Sequence, residues 1–279
     1  MSISAADVKK LRDRTGAGMM DCKKALSESG GDLDAAIEYL RKKGQKVAAK
    51  RADREANQGV IVTQVSDDGK KGVALELNCE TDFVAKNEEF EGHAKSYAQA
   101  VLKGDITDRD SLYSADVGGT AISDHLKDLV GKIGEKIDVG QFELIKSNGH
   151  VVSYVHPGNQ LAVLVEFDSS LNGQDETGRD IAMQIAAMNP ISLDRDSVPQ
   201  ERIDQELQYA KEQMVAEGKP EEIAEKAAHG KVRKFYEEHV LLEQKFVKDG
   251  SISVQEFLKQ QNAPNISSFK RLQLGGGGE

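Results

Sequence analysis

The chain has 279 residues, 38% hydrophobic and 30% charged, enough to bury a real core in two or three structural units. A formal net charge of −10 argues against non-specific nucleic-acid binding, which needs clustered Lys and Arg on phosphates. No apolar run approaches the roughly 20 residues that cross a bilayer, so no membrane association is expected.

In chain order, Ser4 followed by Asp7 suits a helix start, and Val8 and Leu11 continue the pattern until "TGAG" breaks it. A second helix is predicted from about Met19 to Ser29, stopping at Gly30 and Gly31. Asp32 caps a third, with Leu33, Ala36, Ile37 and Leu40 at helical spacing and Gly44 as its end. So small a bundle buries little, and it is expected to be tethered to something larger. The polar run from Gln45 to Gln58 reads as the linker, helical in part. Overlapping its start, Lys42, Lys43, Lys46, Lys50, Arg51 and Arg54 make a local basic run, either a solvated helix face or a dock for an acidic partner.

From Gly59 the pattern changes. "VIVTQVS" and "GVALELN" are strand-like runs joined by "DDGKK", a hairpin signal with Gly69 at the turn. "CETDFVAKNEEF", Cys79 to Phe90, then sets an acid and a large ring, Asp82 and Phe83, where a strand gives way to a helix and the ring has no evident packing partner. A helix from about Asn87 to Lys103, another at Ser123 to Gly134 and a strand at Val139 to Lys146 follow. Near His150 the order returns as "HVVSYVHPG", "QLAVLVEF", a polar loop and a helix containing "RDIAMQIAAM", a weak internal duplication. The expected fold class is α+β: a three-helix module with its linker (1–55), then two related halves (56–147 and 148–279) with helices on antiparallel sheets. A projecting antiparallel helical hairpin (about 198–238) interrupts the second half. A helix near Val254 to Gln260, a strand near Ile266 to Leu274 and "GGGGE", read as a disordered tail, close the chain.

Motifs for chemistry are missing from this sequence. It has no GxxxxGK[ST] phosphate loop, and "GAGMM" neither follows a strand nor completes a dinucleotide fingerprint. No HExxH or paired CxxC offers a metal site, and no GxSxG a nucleophile. Cys22 and Cys79 stand alone as buried structural thiols, and without a secretory leader they point to a reduced, cytoplasmic protein. His156, in "YVHPG", lies at a turn. No cofactor and no metal are expected, and enzyme is the weaker class.

Two stretches narrow the function. "LRDRTGAGMMDCKKAL", Leu11 to Leu26, and "ELNCETDFVAKNEEF", Glu76 to Phe90, resemble the two signatures of the elongation factor Ts family, exchange factors for the GTPase elongation factor Tu. The three-helix module, the duplicated core, the "GKPEEIAEK" hairpin and the closing strand fit that family's layout, so the resemblance covers nearly the whole chain. It implies a ubiquitin-associated-like (UBA-like) module that docks on the GTPase through Leu11, Arg12, Gly16, Ala17, Gly18, Met19 and Met20. The flexible thioethers of Met19 and Met20 suit an apolar groove on a partner, or they close the module's own core. The resemblance also implies that Thr81, Asp82, Phe83 and Val84 enter the GTPase near its magnesium site and promote GDP release without covalent chemistry. His156 corresponds to a second contact, although Pro157 departs from the usual pattern there. A homodimer or a 2:2 complex with the GTPase is left open. A general UBA-like adaptor would leave "TDFV" unexplained, and a hydrolase or transferase lacks any constellation to carry it.

Overall fold

The computed structural model describes residues 3–218 and 220–276. Helix α1 (Ala5–Thr15) begins at a reciprocal cap, with the Asp7 amide donating to Ser4 Oγ at 3.1 Å and the Ser4 amide to Asp7 Oδ2 at 3.2 Å. It ends where Gly16, at φ 65°, turns its N–H back to the Arg12 carbonyl. Helices α2 (Met19–Glu28) and α3 (Leu33–Arg51) follow, and Asp32 caps the latter by accepting from the Ala35 amide at 2.7 Å. Val8, Leu11, Cys22, Ala25, Leu26 and Ala36 close a small core among these helices.

Strands β1 (Gln58–Val65) and β2 (Lys71–Cys79) form the expected hairpin through Gly69, which takes φ 68°. After them come a single-turn helix α4 (Asp82–Ala85), α5 (Glu88–Gly104), α6 (Arg109–Ser114), a ribbon of β3 (Asp116–Val117) with β4 (Thr120–Ala121), and α7 (Ile122–Ile133). Strand β5 (Asp138–Lys146) returns antiparallel to β2, giving the order β1-β2-β5. The next stretch builds a second sheet from β6 (His150–Val155) and β7 (Leu161–Phe167), followed by α8 (Asp175–Met188), α9 (Gln200–Ala216) and α10 (Glu221–His239). A ribbon of β8 (Lys245–Phe246) and β9 (Asp249–Ser253), then α11 (Val254–Gln260), lead to β10 (Ile266–Gln273), which pairs antiparallel with β7. Both three-stranded sheets therefore place the second strand of their hairpin in the centre.

The period of two along each strand sorts side chains between layers. Val60, Val62, Val73, Leu75 and Leu77 face Phe90, Ala94, Tyr97, Val101, Leu126 and Leu129 from α5 and α7. Their neighbours Ile61 and Ala74 point the other way and meet Val151, Ala162, Leu164 and Leu272 of the second sheet. Val163, Val165 and Phe167 in turn face Ile181 and Ile185 of α8 and Phe257 of α11. The result is a stack of helices, sheet, sheet and helices. Gly72 permits the close approach, since a Cβ there would lie 2.5 Å from a Val151 methyl.

Helix α3 corrects the expectation that Gly44 ends it: the helix runs on through the supposed linker to Arg51. Gly44 is buried where α3 crosses α7, and a Cβ on Gly131 of α7 would sit 2.5 Å from the Gly44 Cα. The glycine answers the need for close backbone contact rather than for a helix stop. The basic run is likewise neither of its two expected forms throughout. Lys43 pairs with Asp21 at 2.5 Å, and Arg51 and Arg54 both reach Glu80, so much of it ties the chain together internally.

Helices α9 and α10 pack chiefly on each other, with Ala210 and Ala228 buried between them and Lys211 paired to Glu225 at 3.1 Å. Val198, Phe235 and Val240 form a small cluster where the pair joins the rest of the protein. Lys219 of the "GKP" turn and Gly277–Glu279 of the glycine-rich tail lie outside the described residues.

Candidate functional site

Strand β2 ends at Cys79, and the next two residues are held by the segment that leads into the neighbouring strand β5. Glu135, just past the Gly134 stop of α7, accepts the Glu80 and Thr81 amides on Oε2 at 3.1 and 3.0 Å and the Thr81 hydroxyl on Oε1 at 2.7 Å. Glu80 points its own carboxylate back, taking the Lys136 amide at 2.6 Å, Arg51 at 2.6 Å and Arg54 at 3.0 Å. The Lys136 amide first, then the two guanidinium groups, hold the Glu80 carboxyl down to about 2. Burial, with the nearby Glu135 charge, pushes the Cys79 thiol up to about 12, so it stays protonated.

Thr81 caps α4, and Val84 and Ala85 at the end of that turn pack on the first core. Fixing both ends of a single helical turn leaves its second residue facing out. Phe83 is 84% exposed. Asp82 is paired to Lys86 at 2.6 Å along the same edge, and this contact keeps its carboxyl below the usual range. Among the described residues, the ring belongs to none of the hydrophobic clusters.

The N-terminal candidates separate by burial. Leu11 is completely buried in the three-helix core, so its expected place in a contact surface is corrected to packing. Arg12 is exposed in the last turn of α1, and Gly16, Ala17 and Gly18 form the connection to α2. Met19 and Met20 are 59% and 76% exposed at the start of α2, so neither closes the module's own core.

His156 is exposed at the β6–β7 turn, where its Nδ1 lies 3.0 Å from the Tyr154 hydroxyl. Asn159 of that turn donates to Glu91 of α5 at 3.2 Å and accepts the Ile61 amide at 2.7 Å. The turn is therefore tied to both β1 and α5.

Between the three-helix core and the helices α5 and α7 lies a cleft of about 400 Å³, lined by Arg14, Asp21, Arg41, Lys43, Asp128 and Lys132 among others. His93 and His125 meet edge to face on its wall, with centroids 4.9 Å apart. Burial holds both imidazoles below the ordinary histidine range, His125 adding to the effect on His93. Arg41 pairs with Asp128 at 3.7 Å and Lys132 with Glu89 at 2.5 Å, so the cations of this cleft are engaged within the chain. Among the described residues no group of three or more His, Cys, Asp and Glu side chains is placed to hold a metal ion, and no helix is long and apolar enough to cross a membrane.

Sequence reasoning passed over Glu80 and Glu135. Glu80 stands inside the quoted block and was visible there as an acid at a strand end. Glu135 lies 54 positions beyond Thr81 and carries no local signal except a helix stop just before it.

Large apolar side chains are thus displayed at the surface, Phe83 on a turn that a polar network holds in place. A profile described as "Elongation factor TS" matches residues 80–276. A protein named elongation factor Ts from Prosthecochloris aestuarii is 47% identical over 284 aligned positions, covering 98% of this chain and 99% of the relative. Its namesake from Christiangramia forsetii is 46% identical over 274 positions with the same two coverages. The chain belongs to the elongation factor Ts family, and membership implies nucleotide exchange for elongation factor Tu in translation elongation.

Proposed function

We propose that this protein binds elongation factor Tu in its GDP form and opens the magnesium and phosphate site by inserting Phe83. The observation that carries this reading is a large ring, 84% exposed, on a turn held at both ends. Burying such a side chain stabilises a complex by about 2 kcal/mol, and the pocket that provides the burial belongs to the partner. Thr81 and Val84 set the direction of the ring, and Asp82, beside it, fixes the loop or bonds partner backbone. Once the helices that hold the magnesium ion shift, the cation no longer bridges phosphate to protein and GDP affinity falls. The coupling is reciprocal, so GDP weakens the exchange factor's hold by the same factor, and incoming GTP displaces it.

Arg12, Gly16, Ala17, Gly18, Met19 and Met20 form the docking surface of a UBA-like module on the GTPase. His156 makes a second contact from the β6–β7 turn. The α9–α10 pair projects as an antiparallel coiled coil. The protein acts in the cytoplasm without covalent chemistry, with a homodimer or a 2:2 complex with the GTPase both open.

Release of labelled GDP from elongation factor Tu tests the reading. The intact protein is expected to accelerate release many-fold. Phe83→Ala is expected to lose about thirtyfold of that acceleration, the equivalent of about 2 kcal/mol. No acceleration by the intact protein would end the exchange reading.

A further inference from the structure

The network behind Phe83 is larger than a short surface turn needs for its own stability. Three donors of the turn, the Glu80 and Thr81 amides and the Thr81 hydroxyl, converge on the single carboxylate of Glu135. The neighbouring Lys136 holds the end of α3, its Nζ donating to the carbonyls of Ala52 and Arg54 at 2.8 Å each. The segment between α7 and β5 therefore grips the Phe83 turn with one residue and the helix from the N-terminal module with the next. Glu80 closes the loop between them through Arg51, Arg54 and the Lys136 amide.

We infer that Glu135 is the positioning residue for Phe83. Its hydrogen bonds go to Glu80 and Thr81, so it acts on the ring through the backbone of the turn. Its carboxylate fixes Thr81, Thr81 caps α4, and α4 sets the direction of the ring. A charged acceptor suits this role because two amides and a hydroxyl can be satisfied at once, and charge-assisted bonds are roughly twice as strong as neutral ones. Without it the two amides would turn to water, the cap would loosen and the ring would sample many directions. The free protein would fold as before, but only a fraction of encounters would present the ring to its pocket.

This inference rests on the exchange reading, and the experiment separates the two. GDP release from elongation factor Tu is measured against exchange-factor concentration for the unaltered protein, Glu135→Ala, Phe83→Ala and the double variant. Glu135→Ala is expected to lower the rate at saturation about tenfold, since misplacing a group by an ångström has effects of that order or larger, while the half-saturating concentration stays within about twofold. In the Phe83→Ala background the same change should cost less than about twofold more, because residues acting through one contact are not additive. Glu135→Gln, whose amide oxygen can still accept from both N–H groups, should recover most of the rate. Hydrogen exchange of the Glu80 and Thr81 amides in the free protein should speed up about tenfold in Glu135→Ala.

Unchanged exchange in Glu135→Ala would overturn the inference, and so would an equal loss in both backgrounds. If Glu135→Ala does not fold, Thr81→Val removes the hydroxyl that joins Glu135 to the cap of α4 while leaving the two amide bonds to Glu135, and its loss must likewise disappear in the Phe83→Ala background. Failure of the unaltered protein to accelerate release would defeat the exchange reading instead. Unchanged protection of the Thr81 amide in Glu135→Ala would refute the positioning role whatever the fate of that reading.

Discussion

The loops that leave the two central strands differ in the direction of one side chain. Past β2 and past β7 the chain places an acid, Glu80 or Asp168, and each acid is bound by the segment that enters the third strand. Glu80 takes the Lys136 amide at 2.6 Å, and Asp168 takes the Asn265 side-chain amide at 2.9 Å while donating its own N–H to the Asn265 carbonyl. Three residues after each acid the loops diverge: Phe83 is exposed, whereas Leu171 is 2% exposed within the second core. One latch thus serves two ends. In the second half it closes the core over a leucine, and in the first it holds a ring away from any core.

The largest effect should come from truncating the inward member. Leu171→Ala is expected to destabilise the protein by about 2 to 4 kcal/mol through lost burial and a cavity, while Phe83→Ala should change stability by less than about 0.5 kcal/mol. Urea denaturation of both variants checks this, and a Phe83→Ala loss as large as that of Leu171→Ala would erase the distinction between the loops. A smaller effect is expected at the second latch. Asn265→Ala leaves the backbone bond in place and removes the side-chain bond to Asp168, a loss of about 1 kcal/mol in the same measurement.

The smallest effect concerns acid. The Glu80 carboxyl is held from an ordinary 4.5 down to about 2, chiefly by the Lys136 amide, so the folded state binds its proton less readily than the unfolded chain. The stability this contributes is present above pH 4.5 and is lost as the pH falls through about 2. Glu80→Gln should therefore show a flatter decline of stability across that interval, measured by denaturation at successive pH values. An unchanged slope would mean that the latch in the first half is not electrostatic.

Much of the architecture is legible in the chain because its signals are local. Ser4 with Asp7, Asp32, Gly69 and Asn87 each act within a few residues, and each stands where the structure needs a cap or a turn. The β-rich run "VIVTQVS" likewise announces a strand, although it does not say that the face carrying Ile61 meets another sheet. Gly44 shows the limit. A glycine after an amphipathic run reads as a stop, and only Gly131, far along the chain, turns it into a crossing point. The short ribbons β3–β4 and β8–β9 were missed because two-residue pairings leave no periodicity.

At the site, Phe83, Met19 and Met20 stand out in the sequence as large apolar groups at a strand end and a helix start, but position alone does not set their exposure, as the buried Leu171 past β7 shows. The burial of Leu11 follows from its helical spacing with Val8, which outweighs its presence in a signature block. Glu135 was beyond reach, since its meaning lies wholly in a partner that is distant in the chain and reached only when β5 pairs with β2.

The unbroken helix α3 has a metrical consequence. At 1.5 Å and 100° per residue its 19 residues make a rod of about 28 Å whose phase is as fixed as its length. The start of α2, with its methionines, lies beside the middle of the rod, where Asp21 pairs with Lys43, and Glu80, behind Phe83, is bolted to the end of the rod through Arg51. Adding or deleting a single residue between Lys43 and Arg51 would swing one apolar patch by about 100° relative to the other. Change in this stretch is therefore confined to substitution, because the count of residues is itself the gauge between the two patches.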